Sequence, residues 1–193
     1  MKEFTPTEAA AIIDLPVPFV QKAIDEGPLR GARSRKGRTL DLDDLVFLYV
    51  VGRIDSGFIR VSNSAKRQLR KKIGDSLRAG TDLDIGGCIF QLKSAFRTVR
   101  KRLAKLQKAK RKVVSDPGIR GGLPVIKGTR IGVYEIAAML EQEPNEAEFL
   151  EEYPTLKAED LELAKIYAAA YPRRGRPPRH PWHTAQRPRE VAA

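Results

Sequence analysis

The stretch Phe4–Gly27, FTPTEAAAIIDLPVPFVQKAIDEG, decides how the fold begins. Thr5 and Glu8 stand three residues apart ahead of the apolar run Ala9, Ala10, Ile12 and Ile13. That is the pattern of a capping box, so a short helix starts there. Asp14-Leu15-Pro16 interrupts it, and a second helix follows over Pro18–Ile24, closed by Gly27-Pro28. Two short helices joined by a tight turn give the helix-turn-helix layout, which plain structural hairpins of helices share. The next residues tip the balance. From Leu29 to Leu42 the cations Arg30, Arg33, Arg35, Lys36 and Arg38 surround a turn at Ser34–Gly37, the pattern of a small basic β-hairpin, or wing. Asp41 or Asp43 then caps an apolar helix through Leu45, Val46, Leu48, Tyr49, Val50 and Ile54.

The order helix, turn, helix, basic hairpin, helix resembles the winged helix-turn-helix of the MerR and excisionase type. The resemblance implies that the second helix enters the major groove, with Gln21 and Lys22 near base edges. It also implies that Arg30, Arg33, Arg35, Lys36 and Arg38 of the wing grip phosphates.

Composition points to the same kind of partner. The 193 residues carry a formal net charge of +12, with 31% charged and 41% hydrophobic residues. A packed core is within reach, and the positive balance favours nucleic acid over an anionic membrane surface. A soluble protein with many surface lysines has the same count. Cys88 is the sole cysteine, which excludes a disulfide framework and a thiolate zinc site. His180 and His183 lie in a proline-rich stretch without a carboxylate cluster, so no metal is expected. The opening residues MKEFTPTEAAAI lack the build of a signal peptide, and no apolar run approaches about 20 residues. The expectation is a cytoplasmic protein without a membrane partner.

Basic residues dominate from Arg60 to Lys112, relieved by Asp75, Asp82 and Asp84. Phe58-Ile59-Arg60-Val61 reads as a strand, Ser64–Leu77 as a basic helix, and Asp84–Leu92 as a strand pair through Gly86-Gly87. Ser94–Lys112 is the clearest helix. Its Phe96, Val99, Leu103 and Leu106 alternate at spacings of three and four, a narrow seam of the a/d type. Such a seam serves either the monomer's own core or a dimer contact. The dimeric habit of small operator-binding proteins tilts the reading towards the dimer.

From Glu135 to Glu162 the charge reverses, with a lone Lys157 among many glutamates and Asp160. The glutamates fall mostly at helical surface positions, as a solvent face or part of a partner surface. Ahead of them lies Gly121–Val133, GGLPVIKGTRIGV. It is no phosphate loop: G-x-x-x-x-G-K-[ST] needs lysine directly after its second glycine, whereas Gly122 and Gly128 enclose one residue more and Thr129 follows. The fingerprint G-x-G-x-x-G is absent as well, so no cofactor is expected. The stretch reads instead as a β-hairpin. Leu123–Ile126 is extended, Lys127-Gly128-Thr129 turns with Gly128 at positive φ, and Arg130–Val133 returns. Pro124 confines its strand to an edge or to the strand's first position. Three helices follow. Tyr134–Glu141 is stopped by Pro144, Glu146–Tyr153 opens after an Asn145 cap, and Ala158–Ala170 packs through Leu161, Ala164, Ile166, Tyr167 and Ala168.

The blocks VVSDPGIRGGLPVIKGTRIGVYEIAAMLEQ and FLEEYPTLKAEDLELAKIYAAAYP resemble the small antitoxin domain of bacterial toxin–antitoxin operons, over roughly Val113–Pro172. Gly132 departs from that pattern, which often has proline after the isoleucine. Together with the MerR-like segment upstream, the combination resembles the larger VapB-like antitoxins. The resemblance implies a partner toxin of the PIN-like ribonuclease class and an operon that the chain represses. It also implies a homodimer or a toxin–antitoxin hetero-oligomer.

After Tyr171 the chain becomes PRRGRPPRHPWHTAQRPREVAA. Its R-G-R-P core fits the minor groove of A/T-rich DNA, as in an AT-hook, while a disordered solubilising tail is the plain reading. A third role follows from the resemblance, because antitoxin C-terminal segments commonly wrap their toxins. Arg173, Arg174, Arg176 and Arg179 would then answer an acidic active site, with Trp182 as an apolar anchor.

The sequence thus predicts a mainly α chain with small β-hairpins (α+β). A winged helix-turn-helix occupies 1–56, and a basic strand/helix region 57–112 with a candidate dimerisation helix at 94–112. A hairpin-and-three-helix module covers 113–171 and an Arg/Pro-rich flexible tail 172–193. The expected function is an antitoxin that binds operator DNA and occludes a toxin. No nucleophile, paired carboxylates or metal cluster speaks for catalysis. The alternative is a stand-alone winged helix-turn-helix regulator without a toxin partner.

Overall fold

The structure, a computed structural model, describes residues 3–29, 32–34, 37–54, 61–85, 87–142 and 145–173. Capping chemistry places its first helix. The Glu8 N–H donates to Thr5 Oγ1 (3.3 Å) and the Thr5 N–H donates to Glu8 Oε2 (2.9 Å), which completes the capping box. Helix α1 runs Pro6–Ile13 and ends at Asp14, whose φ of 60° is left-handed. Helix α2 spans Val17–Asp25. Strands β1 (Ala32–Ser34) and β2 (Gly37–Thr39) then form an antiparallel hairpin with Arg33 opposite Arg38. Phe4 and Leu40 exchange both backbone hydrogen bonds at 2.9 Å, which ties the residue ahead of the Thr5 cap to the foot of this hairpin. Asp41, not Asp43, caps the next helix: its carboxylate accepts from the Asp44 N–H (2.8 Å), and the Asp41 N–H donates back to Asp44 Oδ2 (3.1 Å). Helix α3 runs Leu42–Ile54, and its Leu45, Val46, Phe47 and Leu48 are fully buried.

Helix α4 (Asn63–Ala79) is capped by Ser62 and presents Leu69 and Ile73 inward. Strands β3 (Leu83–Ile85) and β4 (Cys88–Phe90) pair antiparallel, and helix α5 spans Leu92–Lys112. The strand expected at 58–61 lies, for residues 58–60, outside the described residues, and Val61 belongs to no strand. The apolar seam of α5 is used at home. Val99 and Leu106 are buried in the chain's own core, and Phe96 and Leu103 pack against it. A dimer contact therefore has to use another face. The same cluster takes in Ala170 from the far end of the described chain.

Strand β5 (Val113–Val114) follows α5 directly and pairs antiparallel with β6 (Val125–Ile126). The expected return strand is present only as a bridge, Val125 to Gly132, with the Ile126 N–H donating to the Ile131 carbonyl at 3.1 Å. So β6 lies between two neighbours, and β5 is the one the sequence did not announce. Gly128 has a φ of 85°, as its turn requires. Thr129 closes that turn: its hydroxyl donates to the Ile126 carbonyl (2.9 Å) and accepts from the Ile131 N–H (3.1 Å). Gly132 has a steric reason. A Cβ there would stand 3.2 Å from both Arg120 Nη1 and Glu135, which are paired across it. Helices α6 (Val133–Gln142), α7 (Glu146–Glu152) and α8 (Ala158–Ala170) complete the module around Ile126, Val133, Ile136 and Leu161. The architecture is mainly α, with small antiparallel strand pairs.

Candidate nucleic-acid interface

Helix α2 buries Val20 and Ile24 and turns Gln21 and Lys22 outward, as a reading helix requires. The opposite sign is present as well. Lys22 faces Glu26 at 3.7 Å, and Arg38 of the hairpin reaches Asp25 of α2 at 2.7 Å. The second pair fixes the hairpin against the helix, so Arg38 positions the wing in addition to presenting charge. Lys22, Arg38 and Asp25 are exposed and Glu26 is half-buried; surface pairs of this kind are worth about 0–1 kcal/mol, so an incoming phosphate can replace the carboxylate. Arg33 lies on β1 across from Arg38. Arg30, Arg35 and Lys36 lie outside the described residues.

One candidate cation was missed in the sequence. Arg67 of α4 brings Nη1 to 3.9 Å from where a Cβ on Gly27 would stand, just past the end of α2. Lys71, one turn further along α4, is exposed as well. Together they extend the cationic margin of α2 onto a third element. The signal available was the i,i+4 spacing of Arg67 and Lys71 on the face of α4 away from Leu69 and Ile73. Arg70 is different. It turns inward to Asp44, with Nη2 at 2.7 Å, and locks α4 onto α3. Burial pushes the Asp44 carboxyl up, and the Arg70 charge opposes that only in part.

Helix α5 carries many cations, but most of those facing α1 and α8 are already answered. Arg102 pairs with Asp14 (2.7 Å), Lys105 with Glu162 (2.6 Å), Lys110 with Glu8 (2.7 Å) and Lys112 with Asp160 (3.5 Å), while Lys108 bonds Glu159. Three carboxylates of the acidic module, Glu159, Asp160 and Glu162, thus pair with the basic helix of the same chain, and Asp160 is buried there. Lys93, Arg97, Arg100, Lys101 and Arg111 remain exposed on α5.

Glu8 joins the two ends of the fold. Besides its cap bond it accepts from Lys110 Nζ and from the Tyr171 hydroxyl, and Lys110 Nζ stands 5.1 Å from the centroid of the Tyr171 ring. Burial works to raise the Glu8 pKa, but the bonds from Lys110, Tyr171 and the Thr5 N–H outweigh it and hold the carboxyl below its ordinary range. Tyr171 is pushed up to about 12 by burial and by the Glu8 carboxylate. Its carbonyl accepts from the Tyr134 hydroxyl at 2.7 Å. Arg173 is exposed beyond it, and Arg174, Arg176, Arg179 and Trp182 lie outside the described residues. Among the described residues no group of three or more His, Cys, Asp or Glu is placed to hold a metal ion. No helix among them is long and apolar enough to cross a membrane.

What the fold and this face define is a helix-turn-helix with a basic hairpin, joined to a small hairpin-and-helix module. Residues 113–168, which make up that module, match the model of a family described as protein of unknown function (DUF433). The chain is also similar to an uncharacterized protein, y4eO, of Sinorhizobium fredii (strain NBRC 101917 / NGR234). They are 45% identical over 80 residues, which is 42% of this chain and 36% of that protein. The chain thus spans about a third of the relative's length. No solved structure matches it.

Proposed function

We propose that the chain is an antitoxin and autorepressor of the VapB-like kind, cytoplasmic and without catalysis of its own. The N-terminal part binds operator DNA through Gln21 and Lys22 on α2, with the hairpin cations and Arg67 on phosphates. The C-terminal module, with the arginine-rich segment after Tyr171, holds a PIN-like ribonuclease toxin and neutralises it by occlusion. For DNA binding, the observation that carries the reading is the exposed Gln21–Lys22 face, flanked by Arg38 on the hairpin and Arg67 on α4. Three separate elements offer cations around one helix whose other face is buried, the layout in which phosphate contacts fix a reading helix in its groove. For the toxin partner, support comes from the two ordered sequence blocks that resemble the antitoxin domain.

The test is co-expression of the chain with the product of the adjacent open reading frame, followed by co-purification and a ribonuclease assay. The expected result is a stable complex whose nuclease activity is suppressed and returns when the chain is removed. Operator binding without any co-purifying neighbour would favour the second reading, a stand-alone regulator, which the winged helix-turn-helix layout also fits.

A further inference from the structure

The β3–β4 hairpin carries a side chain that the fold of one chain does not use. Ile89 is 71% exposed, against 37% for Met139, the other exposed large hydrophobic among the described residues. Its register partner is Asp84 on β3, and residues directly opposite share a face, so an apolar knob and an acid stand side by side. The Gly87 N–H donates to Asp84 Oδ1 at 2.9 Å and holds the carboxylate at the turn. Asp84 is exposed and has no ion-pair partner among the described residues. The opposite face of the hairpin serves the core, with Leu83 buried and Phe90 half-buried against it.

A matching hollow begins at the next residue. It measures about 200 Å³ and lies where the end of β4 meets α3 and the first turn of α5. Val50 and Leu92, both buried, line it together with Phe90 and Ala95. Arg53 lines it as well, its guanidinium 4.6 Å from the centroid of the Tyr49 ring and Nη2 donating to the Tyr49 hydroxyl at 3.2 Å. Arg53 is exposed and, like Asp84, has no ion-pair partner among the described residues. The hollow is smaller than the roughly 300–1,000 Å³ of clefts that take small-molecule ligands, and it suits one aliphatic side chain. Ile89 of the same chain cannot fill it, because successive strand residues point to opposite faces and Phe90 is the one turned to the hollow.

We propose that this face joins two copies of the chain about a two-fold axis, with Ile89 of each seated in the hollow of the other and Asp84 of each on the other's Arg53. Two complementarities argue for a second copy as the occupant: a knob with a hollow, and an acid with a cation. All four features lie on one face, with knob and hollow one residue apart. A two-fold contact is self-complementary, so it satisfies both matches twice over. The contact takes the place of the α5 seam, which the chain's own core uses. It requires neither DNA nor a toxin.

Analytical ultracentrifugation of the full chain, free of DNA, should give twice the monomer mass. Ile89→Asp should raise the dissociation constant of the dimer by at least about tenfold, through loss of a buried aliphatic side chain from each copy. Arg53→Glu and Asp84→Lys should each sediment as monomers. Mixed in equal amounts, these two variants should form a heterodimer, because one charge pair is then native and the other has its signs exchanged. A charge pair formed within one chain gives no such rescue on mixing. Circular dichroism and a thermal melt verify folding. Ile89→Asp and Arg53→Glu leave the bond between Asp84 and the Gly87 N–H intact, so they decide the matter if Asp84→Lys does not fold. A monomeric wild type overturns the proposal. So does a dimer that Ile89→Asp and Arg53→Glu leave unchanged, or two folded charge variants that stay monomeric when mixed.

Discussion

Helix α5 and the margin of α2 are both rich in lysine and arginine, yet they use the charge in different ways. On α5, Arg102, Lys105, Lys108, Lys110 and Lys112 each meet a carboxylate of α1 or α8. Around α2 the cations sit on three elements, and the two ion pairs there, Lys22–Glu26 and Arg38–Asp25, lie at the surface. A count of positive charge would place the DNA surface on α5. The DNA surface we propose lies instead around α2; on α5, Lys110 and Lys112 are matched to the nearly buried carboxylates of Glu8 and Asp160, and such cations lose that contact when they move to a phosphate.

The largest effect should follow changes on the α2 side. Gln21→Ala with Lys22→Ala removes both side chains at the reading face, and each such contact is worth about 1–3 kcal/mol. Binding to DNA upstream of the chain's own gene, read by fluorescence anisotropy, should fall to the level of unrelated DNA while the melting temperature stays unchanged. A drop in melting temperature would mean that the face is structural.

Next in size is Glu8→Gln, which takes the charge out of the link between α1, α5 and the end of α8. Replacing the charged acceptor that Lys110 and Tyr171 share by a neutral amide should cost about 1–3 kcal/mol at neutral pH, measured by denaturant unfolding. The direction with pH follows from the lowered Glu8 pKa. Its contribution is fully present above the unfolded value, about 4.3, and is lost as pH falls through the folded value. The gap between wild type and variant should therefore narrow below about pH 4. A gap independent of acid would assign the loss to packing.

Smaller still is Arg67→Ala. If Arg67 meets a phosphate, the slope of log affinity against log salt should shrink by about 1, with the preference between sequences kept. An unchanged slope would remove α4 from the interface. The smallest effect belongs to the surface pair Lys105–Glu162, worth about 1 kcal/mol or less. Lys105→Glu should lower stability by that order, and adding Glu162→Lys should restore it. No recovery in the double variant would dissolve the charge match between α5 and α8.

Local chemistry made much of the fold legible. Thr5 and Glu8 announced α1, Asn145 announced α7, and α8 begins and ends where its pattern does. What the sequence concealed is long-range. Strand β5 has two residues, Val113 and Val114, too few to carry a periodicity, and only pairing with Val125 and Ile126 makes it a strand. The seam of α5 could serve a monomer or a dimer by spacing alone, and the burial of Val99 and Leu106 within the chain decided it. The placement of Arg67 beside Gly27 depends on how α4 docks, which no local pattern encodes. Gln21 and Lys22, named from the winged-helix resemblance, stand on the exposed face of α2 opposite Val20 and Ile24.

The most direct measurement is a salt series of operator binding on two variants side by side, Gln21→Ala/Lys22→Ala and Lys105→Ala/Lys108→Ala. The account predicts that the first loses the preference for the operator over unrelated DNA. The second should keep affinity, preference and salt slope and melt at a lower temperature. Loss of operator affinity in the α5 variant, with the α2 variant binding normally, would contradict it.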